Sequence, residues 1–163
     1  MKYFLYCLPF LFLAGCNGPG GHSGKYQTIS FEKTLSIQAP KDMALEEERK
    51  GKNPFQVYLS GNKELELQFK LLDPFTSNMA VLKDIYDKNL EDNGIEILES
   101  SIRQINKQAF LVHRSQGVND NMNYYSIQIS TIEKNKIAFC LIRTLTKNKD
   151  KWDETMEEML ESI

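Results

Sequence analysis

The stretch Lys136-Ile137-Ala138-Phe139-Cys140-Leu141-Ile142-Arg143-Thr144-Leu145 decides how this chain folds. Side chains alternate along a strand, so Ile137, Phe139 and Leu141 share one face while Ala138, Cys140 and Ile142 share the other. Both faces are apolar, which predicts a strand in the middle of a sheet with cover on each side. Lys134-Asn135 just before it reads as a turn, and Asn123 to Ile132 as the strand joined through that turn. Further upstream, Gln108 to Arg114 and Ile95 to Ile105 read as strands separated by Asn106-Lys107, with the polar run Gln116 to Asn121 as a loop.

Before these strands the period changes. Met79, Leu82, Ile85, Tyr86 and Leu90 repeat at helical spacing, Ser77 stands in a capping position and Asn93-Gly94 marks a stop, which predicts a helix over 78–93. Ahead of Asp73-Pro74, Leu65, Leu67, Phe69 and Leu71 alternate with Glu64, Glu66, Gln68 and Lys70. Across the turn Ser60-Gly61-Asn62-Lys63 they meet Phe55, Val57 and Leu59, which makes a hairpin with one wet face. Lys41 to Asn53 is polar and charged and reads as a loop, with Glu46-Glu47-Glu48 a solvated run rather than a cation site. An opening hairpin follows from Ile29 and Phe31 set against Leu35, Ile37 and Ala39 around Glu32-Lys33. At the far end Trp152, Met156, Met159, Leu160 and Ile163 trace an amphipathic helix capped near Asp150, with Asp153 and Glu154 suited to its N-terminal dipole. The fold class is therefore α+β, a mainly antiparallel sheet with helices.

Length and charge bound the function. A chain of 163 residues, 41% hydrophobic, suits one domain, here placed at 26–163. With 20 basic and 22 acidic residues the net charge is −2, so the basic footprint of a nucleic-acid binder is missing. Three cysteines and two histidines leave little for a disulfide framework or a histidine-rich metal centre, and no cofactor is expected.

The first sixteen residues carry an address. Lys2 supplies one positive charge, Tyr3 to Ala14 carry none, and small residues precede Cys16, which is the layout of a signal peptide over 1–15. The apolar run is shorter than the roughly 20 residues of a spanning helix, and Pro9 interrupts it. Leu13-Ala14-Gly15-Cys16 resembles the lipobox of bacterial lipoproteins at all four positions. In that family the cysteine thiol receives a diacylglyceryl group, and cleavage then leaves it as the first mature residue. Two sixteen-carbon chains at about 0.8 kcal/mol per CH₂ supply on the order of 25 kcal/mol of gross membrane affinity, a lasting anchor. The glycine-rich run from Asn17 to Gly24 then serves, with Lys25, as a flexible tether over 16–25. Its Gly24-Lys25 is no phosphate loop, because Pro19 stands where the first glycine belongs and Tyr26 where Ser or Thr is needed. His22 belongs to this tether and is expected in solvent.

The order hairpin, hairpin, helix, strands, helix resembles the PsbP-like family, which includes bacterial lipoproteins of the DcrB type. The likeness rests on Leu35-Ser36-Ile37-Gln38-Ala39-Pro40-Lys41-Asp42-Met43, on Ile105-Asn106-Lys107-Gln108-Ala109-Phe110, where Lys107 replaces the usual glycine, and on Trp152 opening the last helix. It implies a central antiparallel sheet with helices on both faces, an α/β/α sandwich, and a binding or assembly role. It transfers no catalytic residue.

Little in the domain speaks for chemistry. His113 is its one histidine, and no HExxH, CxxC or glycine-flanked serine is present. Ser115 shares its face by alternation, which is ordinary spacing. Cys140, inside an apolar strand, is expected to behave as a small hydrophobe. Asn119-Asp120-Asn121 begins like a calcium loop, yet Tyr124 and Ser130 fall where glycine and the bidentate glutamate belong. Tyr124 and Tyr125 point to opposite faces, so one packs inside and the other is available to a partner. With His113 they form the candidate binding surface. The expectation is a lipid-anchored, non-enzymatic envelope protein on the periplasmic side, attached through Cys16 and binding a protein partner. A small-ligand carrier and an envelope hydrolase using His113 are the alternatives.

Overall fold

A computed structural model describes residues 24–163; the signal peptide expected over 1–15, Cys16 and the expected tether up to Ser23 lie outside the described residues. In chain order the elements are β1 (Tyr26–Phe31), β2 (Leu35–Pro40), β3 (Ala44–Arg49), β4 (Phe55–Leu59), β5 (Leu65–Leu72), α1 (Met79–Asp92), β6 (Glu96–Ile105), β7 (Gln108–Asn119), β8 (Met122–Glu133), β9 (Lys136–Leu145) and α2 (Lys149–Glu161). β1 and β2 pair only with each other, and the remaining strands form a seven-stranded antiparallel sheet in the order β3-β4-β5-β9-β8-β7-β6. β9 is thus the middle strand, as its two apolar faces require.

The pleat sorts the side chains. Leu65, Leu67 and Phe69 pair with Thr144, Ile142 and Cys140, and these with Tyr125, Ile127 and Ile129, all buried on one face. That face is covered by the β1–β2 hairpin, through Phe31, Leu35 and Ile37, and by α2, through Met156, Met159 and Leu160. α1 packs on β6 and β7 around the smaller cluster of Leu82, Leu111 and Ile137. On β7 the side chain of Arg114 reaches Glu157 of α2 while that of His113 reaches Asp87 of α1, so the two helices lie against opposite faces.

Several elements differ from the sequence reading. Residues 44–49 form an edge strand rather than a loop; all six are exposed, so no buried face imposes the apolar alternation by which strands are recognised. The loop expected over 116–121 is a continued ribbon in which Gln116, Gly117 and Val118 pair with Tyr125, Tyr124 and Asn123. Only Asp120 and Asn121 remain as the turn, both with positive φ, the two-residue hairpin geometry also adopted by Asn106-Lys107 and Lys134-Asn135. Gly117 sits there because a β-carbon would lie 3.0–3.3 Å from Ile95. The cap of α1 is Asn78 and not Ser77, its side chain accepting from the Ala80 N–H at 2.8 Å. α2 follows a 3₁₀ turn, Thr146–Asn148, so Asp150 lies inside its first turn instead of capping it.

Candidate functional site

The sheet face that carries α1 is only partly covered. Across it the register aligns Phe55, Lys70 and Phe139 in one row, Val57, Gln68 and Leu141 in the next, and Leu59, Glu66 and Arg143 in a third. All of these residues are half-buried. The second face of β9, expected to be covered, is therefore partly open. α1 is too short, at 14 residues, and sits too far toward β6 to shield it.

Charges are interleaved with this apolar ground. The Phe55 ring lies 5.5 Å from Lys70 Nζ and 5.9 Å from the Arg49 guanidinium. Arg143 donates to Glu66 at 3.0 Å and stacks 4.6 Å over the Tyr124 ring, its buried Nε having no acceptor. Beyond Tyr124 a cleft of about 260 Å³ opens between Met122, Asn123, Leu145 and Lys147. A second cleft, about 230 Å³, lies at the other end of the fold between Thr34–Ser36, Ile105–Asn106 and the terminal Ser162-Ile163. Both fall below the roughly 300–1,000 Å³ of ordinary small-molecule sites.

The three residues expected to make a binding surface do not share one. Tyr124 is half-exposed at the border of the open face, whereas Tyr125 is 3% exposed on the opposite face under α2, with Lys149 Nζ 4.6 Å above its ring. His113 is 0% exposed beneath α1. Alternation established that the two tyrosines diverge, but not which of them the core would claim. The burial of His113 leaves no local sequence signal, because its partner, Asp87, is 26 residues away in sequence.

His113 sits in a polar cluster. Its Nε2 lies 2.7 Å from Asp87 Oδ1, the same oxygen accepts from Ser100 Oγ at 2.6 Å, and Oδ2 accepts from Lys83 Nζ at 2.5 Å. An ionised carboxylate only accepts, so Nε2 carries the proton and Nδ1 is bare; Nδ1 has no partner. Burial pushes the imidazole below its ordinary value, against the pull of Asp87. Burial also pushes Asp87 upward, but the hydrogen bonds from Lys83, Ser100 and His113 prevail and hold its carboxyl below the usual range. No serine is bonded to His113, so this cluster lacks the nucleophile–base contact of acyl-transfer sites. Cys140 is fully buried and free, its thiol pushed far up by burial alone. Among the described residues, no three metal-ligating side chains converge and no helix is long and apolar enough to cross a membrane.

No family model matches the chain, and no curated protein does. Solved structures do. The solution structure of cyanobacterial PsbP (CyanoP) from Synechocystis superposes with a TM-score of 0.64 at 14% identity, over 92% of this chain and 96% of that one. A Pseudomonas aeruginosa protein of unknown function, PA94, described as a putative regulator, gives 0.59 at 10% identity over 86% and 96%. A Bacteroides thetaiotaomicron protein gives 0.50 at 16% identity, over 85% of this chain and 47% of that one. The chain has the PsbP-like fold: a mainly antiparallel sheet with two helices. Folds of this kind are shared by proteins of different function, so the site must supply the rest.

Proposed function

We propose that this protein is a lipid-anchored lipoprotein of the bacterial cell envelope, and that its α+β domain, an α/β/α arrangement facing the periplasm, is a non-enzymatic module that binds another protein. The observation that carries the binding role is the open sheet face, where Phe55, Val57, Phe139 and Leu141 stand half-exposed between Arg49, Lys70 and Tyr124. Apolar and aromatic ground edged by arginine and lysine has the composition of a protein interface rather than of a closed pocket. The lipobox at Leu13-Ala14-Gly15-Cys16 supports the anchor, which would hold that face close to membrane-bound partners.

A photoreactive amino acid placed at Leu141 tests the reading inside cells. Irradiation is expected to give one adduct of defined mass, and the same substitution at exposed Ser30, on the hairpin, is expected to give none. Equal labelling at both positions, or none at Leu141, would contradict the proposal.

A further inference from the structure

α1 and α2 are held to the sheet by different means. α2 buries Met156, Met159 and Leu160, whereas α1 buries only Leu82. A larger share of its docking therefore rests on the polar contacts of Asp87 with His113 and Ser100, while Lys83 pairs with Asp87 within the helix itself.

We propose that His113 makes the docking of α1 acid-labile: a proton taken from solvent onto the buried Nδ1 loosens the helix and uncovers the apolar cluster of Leu82, Leu111 and Ile137. Nε2 already carries a hydrogen, given to Asp87, so the incoming proton has only Nδ1 to occupy. That atom is fully enclosed, and Ser130 Oγ, another buried polar atom of this face without a partner, makes no hydrogen bond with it. The added N–H is a buried donor with no acceptor, a cost that a mobile helix relieves by letting water in.

The surrounding charges do not compensate. α1 presents Asp87, Lys83 and Tyr86 to His113; the Tyr86 ring stands 6.2 Å away. β6 presents Ser100, and β8 presents Gln128 and Ser130, none of them ionisable near neutrality. Asp87 favours the imidazolium, but its charge is already met by the Lys83 ammonium, which repels it. Opening α1 returns the imidazole to water, where its ordinary value near 6.5 applies. Acid therefore favours the open form.

Hydrogen exchange of the full-length protein at pH 7 and pH 5, corrected for intrinsic rates, reads the opening directly. Residues 79–92 are expected to open more often at pH 5, by more than about twofold and by at most about twenty-fivefold, the ceiling set by the free imidazole value. Residues 149–161 are expected to change less. In His113→Gln, whose amide still donates to Asp87 but cannot become charged, the response of α1 is expected to vanish. An unchanged α1 in the wild type, or an equal response in the variant, would overturn the proposal. Should that variant not fold, an NMR titration of wild-type His113 decides. A midpoint below the ordinary value, shared by α1 amides, supports the switch, and a midpoint at or above it overturns the switch.

Discussion

Replacing Phe31 by alanine should detach the β1–β2 hairpin from the sheet. Phe31 is 1% exposed and stacks on Phe69, with centroids 5.3 Å apart and planes at 17°; Phe69 in turn meets Tyr58 edge-on at 6.2 Å. The hairpin has no strand neighbour in the main sheet, so such contacts, rather than ladder hydrogen bonds, hold it there. Removing a buried phenylalanine costs about 3–5 kcal/mol, of which the ring pair contributes about 0.5–1.5. For the roughly 140 described residues, an unfolding entropy of about 2.1 cal/mol/K per residue converts this into a fall of about 10–17 °C in Tm. Urea and thermal unfolding of an unlipidated chain starting at Asn17 would measure it. Phe31→Leu should lose under about 2 kcal/mol, and Phe75→Ala, at a site 53% exposed, under about 0.5. A loss below about 1 kcal/mol for Phe31→Ala, or one equal to that of Phe75→Ala, would refute the packing described for the hairpin.

Cys140 should resist a thiol reagent in the native protein and react only at the rate of unfolding, because its thiol is buried and pushed upward; fast native labelling would contradict this. Arg114→Met should cost about 1–3 kcal/mol, since it removes the paired bonds to Glu157 at 2.9 and 2.5 Å and the contact with Glu99. In a double-mutant cycle Arg114 and Glu157 should couple by at least about 0.5 kcal/mol, and additivity would show that the pair does not link β7 to α2. Global stability should be highest above pH 6.5 and fall in acid. Folding lowers the His113 value, so between the folded and unfolded values the unfolded chain binds more protons, and stability is lost as pH falls through that window. The lowered Asp87 adds a second loss, below about pH 4; a urea midpoint that rises on going from pH 7 to pH 5 would contradict the His113 sign, and one that rises from pH 5 to pH 3 the Asp87 sign.

What the sequence discloses depends on where each segment is buried. β9 is legible because its residues are apolar at every position from Ile137 to Ile142, one face fully buried and the other half-buried. β3 is hidden because nothing buries it, and Ala44–Arg49 are held to β4 by the backbone ladder and exposed polar contacts rather than by an apolar face. The outer part of the β7–β8 ribbon is hidden because Gly117 serves a close approach and Asp120-Asn121 a tight turn, rather than apolar contact. For the site, alternation separates Tyr124 from Tyr125 but cannot say that α2 will cover Tyr125. The open face could have been found from the register of Phe55, Val57, Phe139 and Leu141, once α1 was known to be too short to reach them. The His113–Asp87 contact joins a strand to a distant helix and leaves no local pattern.

The proposed place of this protein in the envelope rests on what position 16 carries. Mass spectrometry of the protein isolated from the membranes of its own cells should find an N-terminal peptide that begins at Cys16 and bears a diacylglyceryl group on sulfur. An uncleaved chain with Met1 and an unmodified Cys16 thiol would contradict the anchor, and with it the compartment in which the open face was assigned a partner.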